Sequence, residues 1–422
     1  MNILIKKANV LLEREVKEKD ILIEGNLIKE MGNIQGDSKT HKIIDGKNKL
    51  AMPGLINTHT HMAMSLFRNY ADDLLFWPWL TERIMPKEEQ LKAEDVYWGT
   101  MLSIVELIRG GVTSFNDMYF FMDEVARAVE ETGIRGHLAI GLSDSGNEDE
   151  KIKNTLDFYD NWHNKAQGRI KVLIGPHAVY STNREFLDKL IRLGHDKDMM
   201  IHTHLQESRK EVADCIKEHG KSPIEYFDEI GVFDLPTIAA HCVYTSENDR
   251  AILAKKGVSV ANNPGSNLKL ANGFAQVDEM IKAGINVALG TDGSASNNNL
   301  NMFEEINLAA LINKGINEDA LSVPAHVAVD MATINGARAL GMESQLGSIE
   351  EGKKADIILV DIDKPHYYPR YNLVASLAYS AQSSDVETVI VDGKILMEDY
   401  QVQNIDVDKV IFHAERSAKN LI

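Results

Sequence analysis

The sequence predicts an α/β protein: a (β/α)8 TIM-type barrel joined to a small composite β-sandwich formed by the two ends of the chain. Three observations carry that prediction. The middle of the chain alternates short apolar or β-branched runs with longer helical segments, the βαβ rhythm of a parallel sheet. The two ends lack this rhythm and read as short strands and turns, each with too little apolar surface for a core of its own. Five of the eight central runs also end in ionisable residues, and a barrel gathers its strand ends at one face. The expected division is 1–56 with 347–422 as the sandwich and 57–346 as the barrel. At 422 residues, 44% hydrophobic and 26% charged, the chain is long enough for both.

In chain order, segments 3–5, 10–12 and 21–23 are short strands, the last followed by the turn Glu24-Gly25-Asn26 and by Leu27-Ile28. Barrel strands are expected at 51–58, 111–115, 136–141, 170–175, 199–203, 237–240, 258–261 and 286–290. Helices between them include 93–109, 123–132, 183–193, 208–219, 247–255 and 275–283. The polar run 294–299 is a loop after the eighth strand. Strands return at 355–361 and 386–391, the latter entering the turn Asp392-Gly393-Lys394.

Bulk properties narrow the partners. With 63 acidic against 45 basic residues, the net charge of −18 disfavours nucleic acid and anionic membranes. Cys215 and Cys242 form no CxxC pair and no disulfide framework. Lys6 and Lys7 interrupt the first apolar run before a signal-peptide core forms. No apolar run approaches the ~20 residues of a membrane span. The expected location is cytoplasmic.

The strand ends carry the chemistry. The first ends in His59-Thr60-His61, the fourth in His177, the fifth in His202-Thr203-His204 with Glu207 beyond, the sixth in His241 and the eighth in Asp292. His59 and His61 are two apart, so a strand points both to one side. With a third imidazole and the Asp292 carboxylate they make a nitrogen/oxygen shell suited to Zn²⁺ or a similar divalent ion. Of His202 and His204, which face the same way on a regular strand, His204 lies nearer the barrel mouth and precedes Glu207, so it is the expected ligand. Asp292 can act as ligand and base. Glu207 is placed to protonate a substrate, and His241 to hold the attacking water or a developing oxyanion.

Blander readings compete. A lone strand-end histidine is usually structural, but five matched ends are costly as core filling. Cys242 reads as a small buried hydrophobe, and Lys87-Glu88-Glu89 reads at first as a solvated charge cluster. The aromatic run Phe76-Trp77-Pro78-Trp79 is ordinarily packing, yet its place after the first strand leaves a substrate lid open.

The motifs Pro53-Gly54-Leu55-Ile56-Asn57-Thr58-His59-Thr60-His61, Gly290-Thr291-Asp292-Gly293 and Gly347-Ser348-Ile349-Glu350-Glu351-Gly352-Lys353-Lys354-Ala355-Asp356 resemble the amidohydrolase superfamily over essentially the whole chain. Segment 61–73 with Arg68, Gly175-Pro176-His177, His204-Leu205-Gln206-Glu207, Ala240-His241-Cys242-Val243 and Asn263-Pro264-Gly265-Ser266-Asn267 most resemble its 5′-methylthioadenosine/S-adenosylhomocysteine and 5′-deoxyadenosine deaminases. The resemblance implies His59, His61, His204 and Asp292 as ligands of one divalent ion (Zn²⁺, with Fe²⁺, Mn²⁺ or Ni²⁺ as alternatives). It implies Glu207 and His241 as proton-transfer and water-orienting groups. It also turns Glu88 from a solvated residue into the group that binds the ribose hydroxyls, and makes His177 a substrate contact. A homo-oligomer acting on a small nucleoside is implied as well.

One departure stands out. Some members hold the substrate's amino-acid carboxylate with arginines after strand three, whereas 142–153 has none and is acidic at Glu148-Asp149-Glu150. Lys151 and Lys153 are its only cations. The expectation is therefore hydrolytic deamination of an adenosine with a small or apolar 5′ group. The alternatives are an amidohydrolase for guanine, triazines or another heterocycle, and a catalytically silent scaffold.

Overall fold

In the computed structural model, which describes residues 2–36 and 40–422, eight parallel strands follow one another in sequence order. They are Leu55–Thr60, Val112–Tyr119, Arg135–Leu142, Ile170–Pro176, Ile201–Leu205, Thr237–His241, Ser259–Asn262 and Val287–Leu289. The eighth strand is drawn to the first without a regular ladder. Thr58 Oγ1 donates to the Leu289 carbonyl (2.8 Å), Thr291 N to Asn57 Oδ1 (3.0 Å) and Asp292 N to the His59 carbonyl (3.0 Å), which nearly closes the barrel. Ile56, Met118, Ala139, Leu173, Ile238 and Ala288, from six strands, belong to one buried apolar cluster. That apolar filling leaves the strand ends as the place for ionisable groups.

The second strand runs further than its apolar stretch because its polar residues are paired. Asn116 Nδ2 donates to the Thr58 carbonyl (2.9 Å), and Thr60 Oγ1 donates to Asp117 Oδ1 (3.0 Å). Those bonds offset part of the cost of burying them.

Both chain ends contribute to one nine-stranded sheet, joined where Lys49–Pro53 pairs antiparallel with Ile357–Asp361. Ile5, Val10, Ile21, Ile23, Ile357 and Leu359 share an apolar cluster on this sheet. Two expectations need correction. Segments 3–5 and 10–12 are parts of one strand, Asn2–Leu12, whose register shifts between Ile5 and Ala8 around Lys7 at φ +55°. Run 51–58 is divided between the two sheets, Lys49–Pro53 in one and Leu55–Thr60 in the other. Gly54 makes the crossing possible, since a Cβ there would lie 2.1 Å from Thr113 Oγ1. An apolar run has one periodicity whichever sheet it enters, so sequence patterning does not reveal the division. Among the described residues no helix is long and apolar enough to cross a membrane.

Candidate metal-dependent active site

The first strand ends with His59 and His61 on the barrel's inner side, and the eighth brings Asp292 to them. Asp292 Oδ1 lies 3.3 Å from Nε2 of each histidine. From the fifth strand, His204 Nε2 comes within 3.1 Å of His61 Nε2. The four expected ligands are thus together, and His241 joins the cluster, its donor nitrogen within 4.8 Å of those of His59 and His204.

The donor set itself fits a cation. His61 Nδ1 faces the Met118 carbonyl at 2.7 Å, and His204 Nδ1 faces the His177 carbonyl at 2.8 Å. Each Nδ1 must carry its ring's one proton, so two Nε2 lone pairs point at each other. Neither can donate to the other, and a positive ion between them resolves the conflict. Burial lowers His59 to about 3 and His204 well below the ordinary histidine value, which keeps those two rings neutral. Burial pushes the Asp292 carboxyl up, but His59 and His61 beside it overcome that and hold it well below the usual range.

Glu207 has the opposite character. Burial, with the Asp292 carboxylate nearby, holds it well above the ordinary glutamate value. Its Oε2 lies 3.7 Å from His241 Nε2. Two carboxyls pushed apart in this way make an acid and a base in one cavity. The cavity measures about 370 Å³ and its wall includes Trp77, Trp79, Glu88, Tyr119 and His177. Glu88 Oε1 is enclosed in this wall, with the Tyr119 hydroxyl beside its carboxyl. His177 has two parts to play: its ring faces the cavity, with Nδ1 2.9 Å from Ser181 Oγ, and its carbonyl fixes His204. Burial lowers its ring to about 4.

His202, weighed in the sequence as the alternative ligand, has Nε2 2.8 Å from His59 Nδ1, so it backs the first ligand while His204 faces the cluster. Other residues around the cluster were not singled out. Asp292 Oδ2 accepts from Ser266 Oγ (2.6 Å) and Ser296 Oγ (2.8 Å). Glu211 receives the Gln206 and Glu207 backbone N–H groups at 2.9 and 2.8 Å. The one available signal was the polar run Asn263-Pro264-Gly265-Ser266-Asn267 after a strand with no ionisable end.

Residues 50–396 match the amidohydrolase family. A protein of Thermoanaerobacter pseudethanolicus named 5-methylthioadenosine/S-adenosylhomocysteine deaminase is 54% identical, with 100% of each chain covered. A 5′-deoxyadenosine deaminase of Methanosphaera stadtmanae is 45% identical over 100% of this chain and 99% of its own. Among solved structures, an adenosine deaminase from Xanthomonas campestris with bound zinc is 32% identical. It superposes with a TM-score of 0.95 over 99% of this chain and 98% of that one.

Proposed function

The chain belongs to the amidohydrolase family, and from that premise we propose that it hydrolyses the 6-amino group of an adenosine-type nucleoside. Water adds at C6 of the purine, the C6–N bond breaks, and the products are the inosine analogue and ammonia. A divalent ion held by His59, His61, His204 and Asp292, which we assign as zinc, supplies Lewis-acid activation of water at neutral pH. Glu207, which burial keeps protonated, donates to the ring nitrogen beside C6. The Asp292 carboxylate takes one proton of the water and passes it to the departing amine. The second, released as the C6 hydroxyl becomes the carbonyl, restores the proton that Glu207 gave up. His241 orients the attacking water, and His177 contacts the bound nucleoside. The observation that carries the reading is the enclosed Glu88 carboxyl, with the Tyr119 hydroxyl beside it, in the same cavity as this acid and base. It is an acceptor suited to the hydroxyls of a ribose.

The cavity also favours an uncharged 5′ group. None of the described residues lining it is Lys or Arg. Lys151 is committed to its own loop, donating to the Ser143 carbonyl (2.6 Å) and Ser145 Oγ (2.8 Å). A zwitterionic amino-acid tail would enter without a partner, which is costly. Zinc-loaded protein assayed by the adenine-to-hypoxanthine absorbance change is expected to favour 5′-methylthioadenosine and 5′-deoxyadenosine over S-adenosylhomocysteine by about tenfold or more in kcat/KM. No turnover of any adenosine analogue would overturn the substrate class. Equal turnover of all would overturn the 5′ preference.

A further inference from the structure

The seventh barrel strand, Ser259–Asn262, ends in no acid, base or metal ligand, yet the segment after it touches the assigned acid, the assigned base and the water-orienting histidine. Ser266 Oγ donates to Asp292 Oδ2 at 2.6 Å. Asn267 Oδ1 lies 2.8 Å from His241 Nδ1, closer than the Asn263 amide at 3.3 Å, so that nitrogen carries the ring proton and Nε2 faces the cavity with its lone pair. Asn272 Nδ2 donates to Glu207 Oε1 at 2.9 Å.

We propose that Asn272 is a positioning residue that decides which oxygen of Glu207 delivers the proton, a role that rests on the acid function assigned to Glu207 above. An amide N–H directed at Oε1 leaves that oxygen as an acceptor. The carboxyl's own proton therefore sits on Oε2, the oxygen 3.7 Å from His241 Nε2. Without the amide, both oxygens are equivalent and the side chain is free to turn its proton away from the substrate.

The backbone around Asn272 is built for this contact. Its N–H donates to the Asn267 carbonyl at 2.9 Å, and its carbonyl accepts from the Tyr244 hydroxyl. Ala271 (φ +54°) and Gly273 (φ +100°) flank it in the left-handed region, where a non-glycine residue is strained. A Cβ at 273 would lie 2.9 Å from Tyr244 Oη, so only glycine lets the loop close on that hydroxyl. Two hydrogen bonds thus hold the Asn272 backbone while the side-chain amide points at one acid.

The test uses Asn272→Ala and the isosteric Asn272→Asp in the zinc-loaded full chain, with 5′-methylthioadenosine as substrate. In both, kcat is expected to fall about 10- to 100-fold, with KM held within about threefold and with zinc content and Tm unchanged. A crystal structure of Asn272→Ala is expected to show the Glu207 carboxyl rotated or displaced by about 1 Å. A carboxyl that stays in place overturns the proposal whatever the activity. So does a kcat retained within about twofold in Asn272→Asp, or a loss that merely tracks lost zinc. A wild-type chain inactive on every adenosine analogue would instead overturn the deaminase reading, and the carboxyl position would still decide the role of Asn272.

Discussion

At the scale of single residues, a ring nitrogen that faces a metal is only as well aimed as the bond holding the ring's other nitrogen. His61 and His204 are each held by a backbone carbonyl, but His59 is held by the imidazole of His202. His202→Phe keeps a flat ring and removes the acceptor. It is expected to weaken zinc binding about 10- to 100-fold, measured by competition with a chromophoric chelator; unchanged affinity would mean that His59 needs no partner. That the proposed ligands come together was legible in the sequence, because histidines two apart on a strand share a face and a barrel explains how His204 and Asp292 reach them. Asn272 was not legible. A single asparagine in a loop has no pattern, and its partner Glu207 lies 65 residues away.

At the scale of elements, the strand ends that bear the site abandon regular geometry. Gln206 (φ +50°), His241 (φ +75°) and Asp292 (φ +61°) all occupy the left-handed region. Such conformations cost about 1–3 kcal/mol each in non-glycine residues and persist only where the surroundings enforce them. Here the enforcing bonds include Gln206 N to Glu211, Asp292 N to the His59 carbonyl and Gly293 N to Asp292 Oδ1. The crowding of the first and eighth strands gives a direct test. A Cβ at Gly290 would lie 2.8 Å from His59 Cβ and 2.4 Å from Asn263 Oδ1. Gly290→Ala is therefore expected to lose about 1–3 kcal/mol in urea unfolding and to bind less zinc per chain by metal analysis. Full stability with full zinc would show that the two strand ends can separate without disturbing His59. The strands themselves were legible from their apolar runs, but not their ends. Apolar patterning stops where polar groups take over, and the second strand continues to Tyr119 only because Thr58 and Thr60 receive its Asn116 and Asp117.

At the scale of the whole molecule, the barrel and the terminal sheet are locked by a buried charge cluster. Arg135, fully buried on the third barrel strand, makes two bonds to Asp356 (3.1 and 3.0 Å) and lies 3.6 Å from Asp392. Asp356 also accepts from Asp392 N (2.8 Å), and Lys354 pairs with Asp392 (2.9 Å). The tail motif containing Lys354 and Asp356 was visible in the sequence as a resemblance, but its physical purpose needed Arg135, 221 positions away. Removing one member of such a cluster strands the others. Arg135→Met is expected to lose about 3–5 kcal/mol at pH 7, and Arg135→Lys less, since it keeps the charge with fewer bonds. The pH dependence fixes the cause. Burial raises Asp392, but Lys354 and Arg135 pull it below its ordinary value, so it stabilises the fold above the unfolded pKa of about 3.9 and loses that contribution as pH falls through the lowered folded value. In Arg135→Met the carboxylate keeps Lys354 and the Asn26 amide but loses the guanidinium, so its folded pKa rises and it takes up its proton at higher pH than in the wild type. The stability gap between the two proteins should therefore narrow from pH 7 toward pH 4 in urea unfolding. A gap of equal size at both would point to lost side-chain packing, not stranded charge, as what Arg135 contributes.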